Sequence, residues 1–284
     1  MARIGAREAA AIAAARPLVD SHCHLLLLHE RDLLQEALEG AIANGVEQIV
    51  SVGISLGDSD GNRRIAEQHK GVFFTVGWHP HEKHAPDAAE LRALSELVAH
   101  PRAVAVGEIG LDKYWRPGYH EVPLDVQQRS LRGMLELAVQ HDKPVVIHDR
   151  DAHDEVLAAL DDVPGVRGVM HCFSGDAAFA AECTRRGLWC SFAGTVTFPK
   201  SDGIQAAAAT VGEEWLVLET DAPFLAPVPY RGRPNQPGYI AATCAAVAKL
   251  RGVDAAALAR VATANTRRLF GLPDPAGGDV LGTA

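Results

Sequence analysis

The sequence predicts a single (β/α)8 TIM barrel, an α/β fold, with a metal site at the C-terminal face of the strands. Short runs rich in β-branched residues alternate with longer segments whose apolar residues have helical spacing. Eight such strand–helix units suit a chain of 284 residues, because barrels of this kind typically take about 250 residues. A doubly wound open sheet is the alternative, but the eight units and the polar strand ends favour closure.

Each predicted strand is a short apolar run followed by a segment with helical spacing. In order, the strands are predicted at Leu18–His24, Gln48–Ile54, Val72–Trp78, Ala103–Ile109, Pro144–His148, Val166–Cys172, Leu188–Ala193 and Trp215–Thr220. The last two helices are predicted at Tyr239–Leu250 and Asp254–Leu269. The barrel domain therefore covers residues 18–272.

Two segments lie outside this predicted domain. Residues 1–17 form an N-terminal extension, for which the alanine run predicts a short helix or a frayed tail. The extension lacks the long apolar region and cleavage site of a signal peptide. Residues 273–284 are rich in glycine and proline and are expected to form a flexible C-terminal tail.

Composition and charge exclude several classes of protein. Hydrophobic residues make up 48% of the chain, enough for a large core, yet no apolar run reaches the roughly 18–20 residues that span a bilayer. The net charge of −9 argues against coating nucleic acid with a basic surface, although a local site or a bound metal can still hold phosphate. The five scattered cysteines form no disulfide framework and indicate a reducing cytoplasm.

The segment Asp20–His24 at the end of the first strand is the strongest local signal. Side chains alternate between the two faces of a strand, so Asp20, His22 and His24 should share a face, opposite Ser21 and Cys23. Two imidazoles two residues apart can hold one metal ion, with Asp20 as a supporting group behind them. The alternative is a pair of ordinary histidines at the surface or in the core.

Four further polar residues follow apolar runs at later strand ends: Glu108, His148, His171 and Asp221. Any one of them could simply be a hydrogen-bonded polar residue, but burying six such groups at one barrel mouth requires partners. Four imidazoles and two carboxylates are too many for one open catalytic ion. Two ions about 3.5–4 Å apart, bridged by Glu108, suit attack of water at phosphorus.

In these stretches the chain resembles the TatD-type metal-dependent hydrolases, or TatD deoxyribonucleases, of the amidohydrolase-like barrel superfamily. The matching stretches are Val19–His24, Val76–His81, Gly107–Asp112, Pro144–His148, His171–Gly175 and Glu219–Pro223. The resemblance implies that one metal is held by His22, His24, Glu108 and Asp221, and the other by Glu108, His148 and His171. It also implies that Asp221 orients or deprotonates the attacking water, which makes Asp221 and Glu108 the candidate catalytic residues.

Three residues are candidates for contacting the substrate. His79 is expected to line the pocket, with a structural role as the alternative. Arg150 and Arg231 are candidate phosphate contacts, because a guanidinium group matches the geometry of phosphate oxygens, although most arginines are simply solvated.

Three other residues stand close to the predicted ligands. Asp149 follows His148 where many relatives carry a small polar residue, so either Arg150 neutralises it or substrate preference is altered. Cys172 is expected to alternate away from the site and pack against the helices. Glu219 could be a deeper group that supports the metal site.

The leading hypothesis is a deoxyribonuclease that cleaves phosphodiester bonds at DNA ends through water activated by two divalent ions, Mg, Mn or Zn. The alternative is hydrolysis of an ester, amide or lactone bond, for example editing of D-aminoacyl-tRNA, because the same ions polarise a carbonyl. A third possibility is a non-catalytic metal-binding protein. We expect a cytoplasmic monomer that makes a short, end-directed contact with DNA and none with membranes.

Overall fold

A computed structural model describes residues 6–114, 116, 118, 119, 121–275, 281 and 282. Eight parallel strands follow one another in sequence order around a nearly closed barrel, so the predicted (β/α)8 fold is confirmed. They are β1 (Leu18–Cys23), β2 (Val46–Ser51), β3 (Val72–Val76), β4 (Ala103–Asp112), β5 (Val145–Arg150), β6 (Gly168–Met170), β7 (Leu188–Phe192) and β8 (Leu216–Leu218).

Helices surround the strands and follow the apolar periodicity of the sequence. They are α1 (Ala6–Ala14), α2 (Leu25–His29), α3 (Leu34–Ala43), α4 (Leu56–Gln68), α5 (Ala88–Val98), α6 (Leu124–Gln140), α7 (His153–Asp161), α8 (Ala177–Arg185), α9 (Asp202–Thr210), α10 (Ile240–Arg251) and α11 (Ala255–Phe270). The last two lie within one residue of their predicted bounds. Asp254 sets the start of α11, because its carboxylate accepts a hydrogen bond from the Ala257 amide.

Two hydrophobic layers hold the barrel together. The larger layer lies between the strands and the helices, and it includes Phe74, Ile147 and Leu218. The smaller layer, which includes Val50 and Val217, packs against the C-terminal end of α11. Strand residues alternate between these layers, as a barrel with a filled interior requires.

Among the strands that end at other residues than predicted, β6 ends at Met170 and not Cys172, β8 at Leu218 and not Thr220, and β4 at Asp112 and not Ile109. Strands β6 and β8 end before His171 and Asp221, whereas β4 continues to Asp112. Cys172 and Asp221 have left-handed backbones, with φ of 42° and 57°. A left-handed backbone is incompatible with continued strand pairing, so Cys172 and Asp221 lie in the loops just after β6 and β8.

The strict alternation predicted for Asp20–His24 is wrong, because the pairing of β1 with β2 is irregular between Asp20 and Cys23. The Ser21 hydroxyl lies 3.1 Å from the Ser191 hydroxyl of β7. Since β8 separates these two strands, that contact crosses the barrel interior.

The junction between β8 and β1 is held mainly by residues beside the strands. Asp20 accepts hydrogen bonds from the Thr220 amide at 2.9 Å and the Thr220 hydroxyl at 2.5 Å. The Asp221 amide donates to His22 O at 2.9 Å, and the His24 amide donates to Ala222 O at 2.8 Å. Burial raises the pKa of Asp20 to about 8, against the opposing effect of the Thr220 hydrogen bonds. Asp20 therefore joins the first and last strands instead of supporting an imidazole ring.

The two terminal segments both contact the barrel. Helix α1 packs against α10 and α11, whereas residues 1–5 lie outside the described part. In the segment predicted to be a flexible tail, Leu281 is buried and its amide donates to Glu47 O at 2.8 Å. Within the described residues, no helix is both long and apolar enough to cross a membrane.

Candidate metal centre

Close packing of three strand ends positions Glu108. The Glu108 amide donates to Gly53 O at 2.7 Å, and the Trp78 amide donates to Glu108 O at 3.1 Å. Gly77 lies between these segments, where a Cβ atom would come within 3.0 Å of Gly53 O and of the Glu108 amide nitrogen. Only a residue without a side chain fits there. The backbone therefore carries the buried Glu108 carboxylate into the barrel mouth.

The two carboxylate oxygens of Glu108 face two different pairs of histidines. Oε2 lies 3.6 Å from His22 Nε2 and 3.8 Å from His24 Nε2. Oε1 lies 2.7 Å from His148 Nδ1 and 3.1 Å from His171 Nε2. A single carboxylate thus separates two groups of nitrogen donors, the arrangement expected of a bridging ligand.

Asp221 lies on the other side of the first pair. Its Oδ1 is 3.3 Å from His24 Nε2 and 3.6 Å from His22 Nε2, and the two Nε2 atoms are 3.3 Å apart. Aspartate is among the residues that tolerate the left-handed backbone found here. The loop after β8 thereby directs the Asp221 carboxylate toward His22 and His24.

The remote ring nitrogens of the second pair contact two more carboxylates. His171 Nδ1 lies 3.1 Å from Glu219 Oε1, which also accepts a hydrogen bond from the Cys172 amide at 2.8 Å. His148 Nε2 lies 3.2 Å from Asp112 Oδ2. Such contacts fix ring orientation and make the opposite nitrogen a better metal ligand. Glu219 lies where the sequence suggested a supporting group.

Asp112 was not predicted as a partner of His148. Its Oδ2 also accepts hydrogen bonds from His81 Nε2 at 2.9 Å and from the Tyr119 hydroxyl at 3.0 Å. Burial opposes ionisation, but hydrogen bonds from His148 and His81 hold the pKa of Asp112 well below its usual range. Its position at the end of β4 was the available signal, since charged strand ends mark this face of the barrel.

His79 also lies against Glu108, with its Nε2 3.4 Å from Oε1. Its Nδ1 accepts a hydrogen bond from the His81 amide at 3.1 Å, so the ring proton of the neutral imidazole is on Nε2. Burial lowers the pKa of His79 to about 4. His79 is therefore a neutral hydrogen-bond donor directed into the mouth.

The donor set of this cluster fits divalent metal ions. Among the described residues, three groups have ligand atoms within 4.8 Å of one another: His22, Glu108 and His171; His22, His24 and Asp221; and His79, Glu108 and His148. Burial lowers the pKa of His148, but hydrogen bonds to Asp112 and Glu108 overcome this and raise it to about 9. The buried carboxylates thus attract positive charge, and imidazole with carboxylate is a donor set suited to zinc or manganese.

The predicted phosphate contacts have partners of their own. The Arg150 guanidinium lies over the Tyr114 ring at 3.9 Å and donates to the Tyr119 hydroxyl at 2.9 Å. The Arg231 guanidinium lies over the Phe198 ring at 3.9 Å. Both stay candidates, because stacking leaves some donor groups of a guanidinium free.

The Asp149 carboxylate contacts the start of α7, whereas the Arg150 guanidinium contacts Tyr114 and Tyr119. Asp149 Oδ1 accepts a hydrogen bond from the Ala152 amide at 3.2 Å, and its Oδ2 contacts His153 Nδ1 at 2.6 Å. Asp149 thus stabilises the start of α7.

The expected position of Cys172, against the helices, is wrong. The residue is half-buried, and burial together with the nearby carboxylates of Asp221 and Glu219 raises the pKa of its thiol well above the usual value. The left-handed backbone at Cys172 turns the side chain toward these acids instead of continuing the strand alternation.

Comparison with known proteins identifies the family to which the chain belongs. Residues 19–271 match the family described as TatD related DNase. The chain is 37% identical over 261 residues to an uncharacterized metal-dependent hydrolase, TatD, of Mycobacterium tuberculosis, covering 90% of this chain and 98% of that protein. It is 34% identical over 249 residues to the 3'-5' ssDNA/RNA exonuclease TatD of Klebsiella pneumoniae, covering 84% and 91%.

Solved structures give the same result. The crystal structure of YjjV, a TatD homologue from Escherichia coli, superposes with a TM-score of 0.82 at 30% identity, covering 92% of this chain and all of that one. The family match, the sequence identity and the fold thus agree over most of the chain. The chain therefore belongs to the TatD-related DNase family and is a metal-dependent hydrolase.

Proposed function

We propose that this protein is a deoxyribonuclease that removes nucleotides from DNA ends with two divalent ions, Mg, Mn or Zn. The observation that carries the proposal is the position of Glu108, whose two oxygens face two separate pairs of histidines. Two adjacent ions suit displacement at phosphorus, because they stabilise both the attacking and the leaving oxygen.

In this proposal the ligands divide between two ions that share Glu108. His22, His24, Glu108 and Asp221 hold one ion, and Glu108, His148 and His171 hold the other. When bound, the ions make water more acidic and stabilise negative charge at phosphorus.

Two further residues handle protons and the substrate. Asp221 accepts the proton of the attacking water, since its carboxylate is at the mouth and lies close to His22 and His24. His79 Nε2, which lies 3.4 Å from Glu108 Oε1, would turn to donate a hydrogen bond to a phosphate oxygen, a role supported by its position in the mouth and by its neutral state.

The proposed substrate is a short single strand held near its end. With a net charge of −9, the protein has no general attraction for a long polyanion, so the contact should be local. A relative at 34% identity bears the name 3'-5' ssDNA/RNA exonuclease, which supports a nucleic-acid end as the substrate class.

The test compares linear and circular substrates of the same sequence. Metal-depleted protein is reloaded with Mg, Mn or Zn and mixed with a linear single strand or with its circular form, which has no ends. We expect metal-dependent release of nucleotides from the linear strand alone, and loss of this activity in the Glu108→Gln variant. Cleavage of lactones or aminoacyl esters without cleavage of either DNA would overturn the proposal in favour of carbonyl chemistry.

A further inference from the structure

One exposed aromatic residue stands beside the candidate metal centre. Five large hydrophobic residues are exposed in the described part of the chain, and four of them are aliphatic residues on or next to the outer helices: Ile42, Val139, Leu250 and Val253. The fifth is Phe224, which follows Asp221 by three residues in the loop after β8 and is 44% exposed. Single exposed apolar residues are common, so position and rigidity carry the argument.

The ring of Phe224 adjoins a proposed metal ligand. It contacts the His24 ring edge to face, with ring centroids 5.8 Å apart. A nucleobase is separated from its own phosphate by a single sugar. A phosphodiester held next to His24 therefore brings a base within reach of Phe224.

The loop holds Phe224 firmly in this position. The Phe224 amide donates to Asp221 O at 2.8 Å. The buried side chain of Asn235 donates to Phe224 O at 2.6 Å and to Thr220 O at 2.8 Å. The backbone on both sides of Asp221 is thus fixed by one amide group, and the exposed ring belongs to a rigid segment.

Two aromatic rings in the described parts of neighbouring loops are each covered on one face by a guanidinium group. Arg150 lies over Tyr114, and Arg231 lies over Phe198, each at 3.9 Å from the ring centroid. Phe224 differs in that its contact with His24 is made edge to face and much of the residue stays accessible.

We propose that Phe224 binds nucleic acid by stacking against the base next to the phosphodiester held at the metal centre. This inference rests on the nuclease activity proposed above and names a residue that gives it a preference for nucleotides over simple phosphodiesters. Stacking of bases on aromatic side chains accepts any base, so Phe224 contributes affinity without reading sequence.

The test uses two strands of equal length, one normal and one with abasic nucleotides at both ends. For each enzyme the kcat/KM ratio of normal to abasic strand is measured, together with binding of the labelled strands. We expect Phe224→Ala to lower this ratio at least about fivefold, the lower range of stacking effects, and Phe224→Trp to restore it. Ile42→Ala, an equally exposed residue on α3, serves as the control and should keep the wild-type ratio.

The outcomes separate this inference from the proposed function. A wild-type enzyme that cleaves DNA while Phe224→Ala keeps the ratio within twofold would overturn the stacking role and leave the nuclease intact. A wild-type enzyme that neither binds nor cleaves either strand would overturn both.

Discussion

Gly77→Ala is expected to damage the metal centre through the backbone, without touching a ligand side chain. The added Cβ would come within 3.0 Å of Gly53 O, the Glu108 amide nitrogen and the Gly107 carbonyl carbon. These are backbone atoms, so strands must move. Overpacking costs about 1–3 kcal/mol, and loss of the hydrogen bond from the Glu108 amide to Gly53 adds about 1 kcal/mol.

The expected destabilisation is therefore about 2–4 kcal/mol. For a chain of this length each kcal/mol lowers Tm by about 2 °C, which predicts a decrease of about 4–8 °C. Because Glu108 moves with its backbone, metal content measured by elemental analysis should fall as well.

Gly57→Ala is the matched control. Gly57 lies in the first turn of α4, and a Cβ there would meet no atom within 4 Å. Alanine is the better helix former, so this variant should keep wild-type stability and metal content. If Gly77→Ala had the Tm and metal content of the control, close approach of the strands would not be what positions Glu108.

Three further substitutions test the ligands and their partners. Glu108→Gln should lower metal content and activity together, and a variant that still bound two ions by elemental analysis would rule out bridging. Asp221→Asn should keep oligonucleotide binding while kcat falls about 10²–10⁴-fold, measured as turnover under saturating metal; if more than a tenth of turnover remained, another group would accept the proton. Glu219→Gln should weaken metal binding about 10–100-fold in a chelator competition, because His171 Nδ1 loses a charged partner, and unchanged affinity would make Glu219 purely structural.

The barrel was predictable because each strand corresponds to a short apolar run in the sequence. Apolar runs ending in a charged residue or a histidine indicated β1, β4 and β5. Because the C-terminal ends of all strands meet at one face of a (β/α)8 barrel, the residues at these ends were expected to lie close together. The ends of α11 were predictable for a similar local reason, since Asp254 is a good helix cap.

The remaining features depend on contacts between distant segments. Nothing near Asp20 in sequence indicates that it binds Thr220, and the irregular pairing of β1 breaks the alternation on which the prediction relied. The position of Cys172 depends on one backbone angle, which apolar periodicity does not report. The pairing of Asp112 with His148 joins β4 and β5 and depends on the register between these two strands, which apolar periodicity does not give.

The junction between β8 and β1 places residues from the first and the last strand–helix units around one candidate ion. His22 and His24 lie on one side and Asp221 on the other, and a single bridge, between Cys23 and Ala222, joins the strand ends there. A bound ion would therefore link the ends of β1 and β8, which few backbone hydrogen bonds join. The site for this ion is complete only after the last strand has been synthesised and has docked. Removing the ion should therefore expose the backbone amides along the junction between β8 and β1 to hydrogen exchange before those of the rest of the barrel.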